Sequence, residues 1–164
     1  MTPEFSGKLA LIFSLSYKKL SDELREDLNG GNIKNDITSK NILYDSSELE
    51  CLISNRQKIV LCGSFFVANF LKKKFPEINV KSFYKDGAKL KENSKIFYIS
   101  GNSKIILALE RTILNFLQHL SGISTYTNQF ILKMVSNKTK LLNTRKTTIG
   151  LRKFEKYATQ IGGA

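Results

Sequence analysis

Residues 143–147, NTRKT, place two adjacent cations between polar side chains. Arg145 offers a planar fork that can grip a carboxylate through two parallel hydrogen bonds, and Lys146 is a compact charge suited to a phosphate oxygen. Thr144 and Thr147 add hydroxyl donors on either side. These residue types suit a small anion. The alternative is that the segment merely precedes a helix and that its cations are incidental, and the spacing alone favours neither interpretation.

Arg111 is a second candidate for anion binding, and it lies beside Glu110 in a predicted helix. The two side chains point about 100° apart around the helix axis, so they cannot pair across one helical turn. A solvent-exposed arginine and an anion-binding arginine at a domain or subunit junction both fit this position. His119 is the one histidine of the chain, which argues against a metal site or a catalytic triad. No catalytic residue and no metal ligand is therefore predicted.

The predicted elements around these residues indicate how they are positioned. The apolar residues before the two cations predict a short strand over 140–143, buried on both sides, with the cations just past its end. In barrel enzymes the loops after such strands build the active site. A helix is predicted from near Gly150 onward. Upstream, apolar residues at three- and four-residue steps predict a helix from Ser103 to near Gly122 and a second one over 125–137.

The first hundred residues predict an α+β module. Residues 9–28 are typical of one or two helices with an acidic end, and residues 64–75 are typical of a short helix. The apolar stretches at 49–54 and 58–63 are separated by Asn-Arg-Gln and predict a β-hairpin. Further strands are predicted on both sides of a turn at residues 86–87.

The chain has 164 residues and a net charge of +12, from 26 basic and 14 acidic residues. Such a balance suggests a polyanion as partner. The lysines are scattered, however, and aromatic residues do not alternate with them, so no nucleic-acid partner is expected. No apolar run approaches the roughly 18 residues that a membrane span needs, and no membrane association is expected. Cys51 and Cys62 are too few for a disulfide scaffold, and a reducing cytoplasm fits this composition.

Two long segments resemble signatures of the quinolinate phosphoribosyltransferase family, the carboxylating nicotinate-nucleotide pyrophosphorylases. They are residues 110–127, ERTILNFLQHLSGISTYT, and residues 141–163, LLNTRKTTIGLRKFEKYATQIGG. Residues 25–39 are similar to an earlier acidic segment of the family, although a few residues longer. The segments follow one another in the family's order, so the resemblance covers nearly the whole chain.

The resemblance implies an N-terminal α+β sandwich domain over residues 1–109. It implies that residues 110–164 form the first helices and the first β/α unit of an incomplete α/β barrel. The implied activity is that of a cytoplasmic pentosyltransferase of NAD biosynthesis. It converts quinolinate and phosphoribosyl pyrophosphate to nicotinate mononucleotide, pyrophosphate and carbon dioxide, with Mg²⁺ on the pyrophosphate. The resemblance also implies a homodimer in which the sandwich of one subunit covers the barrel of its partner.

By the same resemblance, Arg145 binds a substrate carboxylate, Lys146 is a substrate- or phosphate-binding cation, and Thr144 belongs to the same binding segment. Arg111 corresponds to an arginine that reaches the partner subunit's site. The family's pattern continues with further site residues, so the chain is expected to be a fragment that lacks most of the active site and is inactive in isolation. The alternatives are a molybdenum-transport-associated paralogue, a non-catalytic accessory copy and, on net charge alone, a basic nucleic-acid-binding module.

Overall fold

A computed structural model of the chain describes residues 3–33, 36, 41, 47–134 and 139–164. Helices and short strands are interspersed along these residues. The helices are α1 (Pro3–Asp27), α2 (Ser64–Lys74), α3 (Ser103–Lys133) and α4 (Arg152–Ile161). The strands are β1 (Glu48–Ser54), β2 (Ile59–Val60), β3 (Asn79–Ser82), β4 (Lys89–Leu90) and β5 (Lys95–Asn102). This mixture of helices and small sheets agrees with the predicted α+β character.

The strands form two antiparallel sheets in the described part of the chain. β5 lies at the centre of the first sheet, between β1 and β3, and β2 pairs with β4 in the second. The predicted hairpin between residues 49–54 and 58–63 is therefore wrong. β1 pairs instead with β5, so that Cys51 lies opposite Ile99.

Asn55 explains why the chain leaves the first sheet after β1. Its side-chain amide donates to the carbonyl oxygens of Gln57 and Lys91, at 2.7 Å each. The N–H of Asn93 donates to the carbonyl oxygen of Asn55 at 2.9 Å. These bonds attach the turn after β1 to the loop before β5. Alternating apolar residues show which face of a strand is buried, but they do not identify the neighbouring strand.

The core lies between the first sheet and helices α1, α2 and α3. Each of these elements contributes fully buried side chains, among them Leu20, Phe70, Phe97 and Leu109. A second cluster lies under α4 and consists of Cys62, Phe66, Leu120, Phe154 and Ala158. Phe66 of α2 meets Phe154 of α4 edge to face, with ring centroids 6.0 Å apart. Buried apolar surface therefore holds α4 on the N-terminal module.

Helix α3 runs without a break over 31 residues and passes through position 109, where the two predicted domains meet. The prediction of two helices separated near Gly122 is wrong for the described residues. A glycine inside a helix costs about 1 kcal/mol, and the burial of the neighbouring Leu120 outweighs this cost. The predicted end of the second helix, near Asn137, lies outside the described residues.

Three hydroxyl side chains of α3 pair with backbone groups of strand β2 and of Cys62, two residues after it. Ser121 Oγ accepts from the N–H of Cys62 and donates to its carbonyl oxygen, at 3.1 Å each. Ser124 Oγ donates to the carbonyl oxygen of Val60 at 2.6 Å, and the N–H of Val60 donates to Thr125 Oγ1 at 2.9 Å. The helix thus satisfies backbone groups that a neighbouring strand would otherwise pair. The small polar residues of the segment SGIST therefore have a structural role.

Candidate functional site

Residues 139–148 carry the predicted anion-binding side chains, and they form neither helix nor strand. The strand predicted over 140–143 is wrong, since Leu142 is 83% exposed. A strand buried on both sides needs a neighbour along each edge to pair its backbone N–H and C=O groups. The sheets of the described residues supply no such neighbour here. Another element must therefore hold the cations.

Helix α4 holds the cationic segment through Arg152, the first residue of the helix. Its Nη2 donates to the carbonyl oxygen of Arg145 and its Nε donates to Oγ1 of Thr147, at 3.4 Å each. Within the segment, the N–H of Lys146 donates to Oγ1 of Thr144 at 3.1 Å. These bonds attach the segment to the start of α4. Helix α4 confirms the helix predicted from near Gly150 onward.

Glu155, in the first turn of α4, anchors the end of the segment. Its Oε1 and Oε2 accept from the N–H of Thr148 at 3.3 and 3.2 Å, and Oε1 lies 3.0 Å from Nε2 of His119 on α3. A carboxylate only accepts, so this contact requires the proton on Nε2. Partial burial alone would raise the pKa of Glu155, but the hydrogen bonds from Thr148 and His119 together lower it.

The side chains of Arg145 and Lys146 are both exposed. Among the described residues, neither side chain has a hydrogen bond or an ion pair with a protein group, because the contacts of the segment run through its backbone and its threonines. A carboxylate or phosphate group can therefore reach both cations without displacing a protein partner.

Arg111 lies elsewhere, at the junction of α1 and α3. Its Nη1 donates to Oδ1 of Asp27 at 2.7 Å, and the arginine side chain is 75% exposed against 22% for the aspartate. Both residues line two grooves with volumes of about 630 and 520 Å³. Arg145 and Lys146 line neither of these grooves. The structure therefore does not bring Arg111 and the 144–146 segment into one described groove.

The two grooves are acidic, although the whole chain is strongly basic. Their walls carry two basic residues, Lys19 and Arg111, against five carboxylates: Glu23, Glu26, Asp27, Asp36 and Glu110. Negative charges near Arg111 weaken its attraction for an anion. In the isolated chain, Arg111 therefore attracts a free anion less strongly than Arg145 and Lys146 do.

Sequence reasoning missed three residues that orient the candidate site, namely Asp27, Arg152 and Glu155. Asp27 lies 84 positions from Arg111, and no local pattern connects the two. Glu155 had a detectable signal, because acidic residues are typical of the first turn of a helix. No local pattern indicated the contacts of Arg152 with the preceding segment.

Within the described ranges, no helix is long and apolar enough to cross a membrane. The same ranges contain no group of three or more His, Cys, Asp or Glu side chains placed to hold a metal ion. Cys51 and Cys62 are free thiols, and burial raises the pKa of both.

Comparison with known protein families assigns the chain to one family. The model of the quinolinate phosphoribosyl transferase N-terminal domain matches residues 36–121, and the model of the C-terminal domain matches residues 123–164. The chain therefore belongs to the quinolinate phosphoribosyltransferase family.

Among its relatives are nicotinate-nucleotide pyrophosphorylases of the carboxylating type. The chain is 36% identical over 150 residues to the probable enzyme of Methanocaldococcus jannaschii. This match covers 89% of the chain and 50% of the relative. The chain is also 36% identical over 155 residues to the probable enzyme of Bacillus subtilis, covering 91% and 50%. The structure of the nicotinate-nucleotide pyrophosphorylase from Francisella tularensis superposes with a TM-score of 0.82 at 35% identity, covering 93% of this chain and 52% of that one. The chain thus spans about half the length of the curated relatives it matches.

Proposed function

We propose that the chain carries the N-terminal part of a quinolinate phosphoribosyltransferase. The whole enzyme joins quinolinate to phosphoribosyl pyrophosphate and releases nicotinate mononucleotide, pyrophosphate and carbon dioxide for NAD biosynthesis. The supporting observation is the exposed pair Arg145 and Lys146, which lies inside the matched C-terminal domain and has no protein partner among the described residues.

Charge explains why such an enzyme needs fixed cations. Quinolinate is a dicarboxylate and its co-substrate carries several phosphate charges, so the two reactants repel each other when they lie side by side. Charge-assisted hydrogen bonds from Arg145 and Lys146 offset this repulsion, and they are roughly twice as strong as neutral ones. Departure of pyrophosphate from the sugar can then be promoted by placement and by electrostatic stabilisation. This chemistry requires no covalent nucleophile from the chain.

The four site residues divide between two roles. Arg145 binds a carboxylate of quinolinate as a bidentate partner, Lys146 adds a point charge for a second acidic group, and Thr144 orders the segment through the Lys146 N–H. Arg111 acts across a homodimer, at the site of the partner subunit. The arginine of its ion pair with Asp27 is 75% exposed, and solvent weakens such a pair, so a ligand carboxylate can replace Asp27 at small cost.

The finer architecture follows from the same proposal. Residues 1–109 form the sandwich domain, and residues 110–164 begin an α/β barrel. Isolated residues 140–143 lack partners for their backbone groups, which explains why they form no strand in this chain.

The described residues do not fit a Mg²⁺ site, because the segment is cationic and no cluster of three metal-binding side chains accompanies it. Mg²⁺ prefers carboxylates and phosphates, and in this proposal it arrives on the pyrophosphate of the co-substrate. We place the enzyme in the cytoplasm, since both cysteines are free thiols.

Binding of quinolinate to the 164-residue chain tests this proposal. In a titration followed by amide NMR, quinolinate should shift the resonances of residues 144–146, and nicotinate, which lacks the second carboxylate, should bind more weakly. Arg145→Ala should weaken quinolinate binding about tenfold, the effect of losing one charge-assisted pair.

Lys153→Gln is the matched control, because it also removes one exposed positive charge near the segment. If Arg145→Ala and Lys153→Gln weaken binding equally, the effect is one of net charge alone and the assignment of Arg145 is wrong.

A further inference from the structure

The carboxylate of Glu155 makes its hydrogen bonds outside its own helix. α4 begins at Arg152, and the preceding residue, Leu151, has no side-chain cap. In a capping box the acidic side chain reaches back to the N–H of the N-cap residue. Glu155 instead reaches three residues further, to the N–H of Thr148, and it also meets His119 from another helix. Its contacts therefore stabilise the preceding segment rather than the helix terminus.

A tight turn brings Thr148 to this carboxylate. The N–H of Leu151 donates to the carbonyl oxygen of Thr148 at 3.0 Å, and Gly150 adopts a φ of +79°. This conformation favours glycine at the third position of a turn. The turn folds the chain back over the start of α4, so that the N–H of Thr148 faces Glu155. Lys146 lies two residues earlier, within about 7 Å along an extended chain.

We propose that Glu155 is a positioning residue, which sets the placement of the cationic segment 144–146 by holding Thr148 against helices α3 and α4. This inference rests on the proposed function only for what the segment binds. Three observations carry it. The carboxylate accepts with both oxygens from the N–H of Thr148, two residues past Lys146. Its side chain is only 12% exposed, and its Oε1 also meets Nε2 of His119 on α3.

Arg152 supports the same placement from the start of the segment. It donates to the carbonyl oxygen of Arg145 and to the hydroxyl of Thr147, while Glu155 accepts from Thr148. Two residues of opposite charge on one helical turn thus hold Arg145 and the two threonines that follow Lys146. Since residues 140–143 form no strand, the contacts of Arg152 and Glu155 orient the cations.

A purely structural role for Glu155 predicts something different. A carboxylate in the first turn also interacts favourably with the helix dipole, and its loss then weakens the whole of α4. A positioning role predicts a local effect. The amide of Thr148 should lose protection from hydrogen exchange, while the amide of Ala158 in the buried face of α4 keeps its protection.

The experiment compares Glu155→Ala, Glu155→Gln and the control Lys153→Gln in the full 164-residue chain. Protection of the Thr148 amide should fall about tenfold in the alanine variant, as expected for loss of a charge-assisted hydrogen bond. Glutamine still offers one accepting oxygen, so it should restore part of the protection. Lys153→Gln should change nothing at Thr148. If Glu155→Ala does not fold, the protection of the Thr148 amide in Glu155→Gln and in the wild-type chain is compared instead.

Two hydrogen-exchange results would overturn the inference. One is unchanged protection at Thr148 in both Glu155 variants, and the other is an equal loss of protection throughout α4.

Quinolinate binding is measured separately on the same samples, and it should weaken about fivefold in Glu155→Ala as the cations lose their fixed placement. If the wild-type chain binds no quinolinate, the proposed function fails, whereas the exchange data still decide whether Glu155 places the segment. If quinolinate binds equally well to wild type and Glu155→Ala, the placement does not matter for the ligand and the positioning role is rejected.

Discussion

The phenol of Tyr157 donates to Oδ2 of Asp86 at 3.0 Å, across 71 positions of the chain. The same carboxylate accepts from the N–H groups of Gly63 and Ser64, at 3.0 and 2.8 Å, and from the hydroxyl of Ser64 at 2.6 Å. Asp86 thus satisfies the start of α2, where backbone N–H groups lack helical partners, and connects it to α4. This carboxylate joins the last helix to the N-terminal module by polar contacts, beside the apolar contact of Phe66 with Phe154.

Removal of the Tyr157 hydroxyl should destabilise the chain. Tyr157→Phe deletes a hydrogen bond to a charged acceptor, so the free energy of unfolding in urea should fall by about 1 to 2 kcal/mol. Tyr126→Phe is the matched control, since Tyr126 is 64% exposed and its ring contacts Phe130. Equal unfolding free energies for the two variants would show that the bond to Asp86 contributes nothing.

The same tyrosine should also make stability sensitive to alkaline pH. Burial, the charge of Asp86 and the hydrogen bond to it raise the pKa of Tyr157 above the ordinary value of 10.0. A raised pKa in the folded state means that this stabilisation is complete below pH 10 and is lost as pH rises further, because the unfolded chain ionises first. The free energy of unfolding should therefore fall less steeply above pH 10 in Tyr157→Phe than in Tyr126→Phe. Parallel curves for the two variants would contradict a raised pKa.

The hydroxyls of α3 provide a second test of stability. Ser121→Ala leaves both the N–H and the carbonyl oxygen of Cys62 without a partner, and Ser124→Ala does so for the carbonyl oxygen of Val60. Each buried group without a partner costs about 1 to 3 kcal/mol. Gln118→Ala, at an exposed position of the same helix, should change the free energy of unfolding by less than about 0.5 kcal/mol. A serine variant as stable as Gln118→Ala would show that water replaces the hydroxyl.

Local periodicity predicted the elements that depend on neighbouring residues and failed where distant residues decide. The start of α3 and the position of α4 followed from apolar spacing. The partner of β1 did not, because β5 lies more than forty positions away and the apolar pattern of β1 is compatible with several neighbours. The continuity of α3 past Gly122 likewise depends on strand β2, whose Val60 bonds the hydroxyls of Ser124 and Thr125.

In the candidate site, too, the sequence predicted local features and missed those that depend on distant residues. Arg145 and Lys146 could be selected from their types and spacing, because anion binding is a property of the side chains themselves. Their support could not, since the apolar residues before them predict a strand whose partner strands are not among the described residues. The ion pair of Arg111 with Asp27 could not be predicted either, because Asp27 belongs to a helix that is far from Arg111 in sequence.

The pairing of Arg111 with Asp27 should contribute little to stability. Its arginine side chain is 75% exposed, and exposed ion pairs contribute about 0 to 1 kcal/mol. A double-mutant cycle with Asp27→Asn and Arg111→Gln, measured by urea unfolding, should therefore give a coupling below about 1 kcal/mol that decreases with added salt. A coupling above about 2 kcal/mol would mean that the pair is structural, and Arg111 would then be unavailable to a ligand.

The isolated 164-residue chain should release no carbon dioxide from quinolinate in the presence of phosphoribosyl pyrophosphate and Mg²⁺. The chain covers about half of the Methanocaldococcus jannaschii and Bacillus subtilis relatives. Its cations can bind a carboxylate, but the described residues contain no cluster of three or more metal-binding side chains. Release of labelled carbon dioxide from carboxyl-labelled quinolinate measures turnover directly, with the Francisella tularensis relative as positive control. Turnover above the buffer control that disappears in Arg145→Ala would show that this half of the family's length suffices for catalysis. Turnover that persists in Arg145→Ala would exclude the cationic segment as its site.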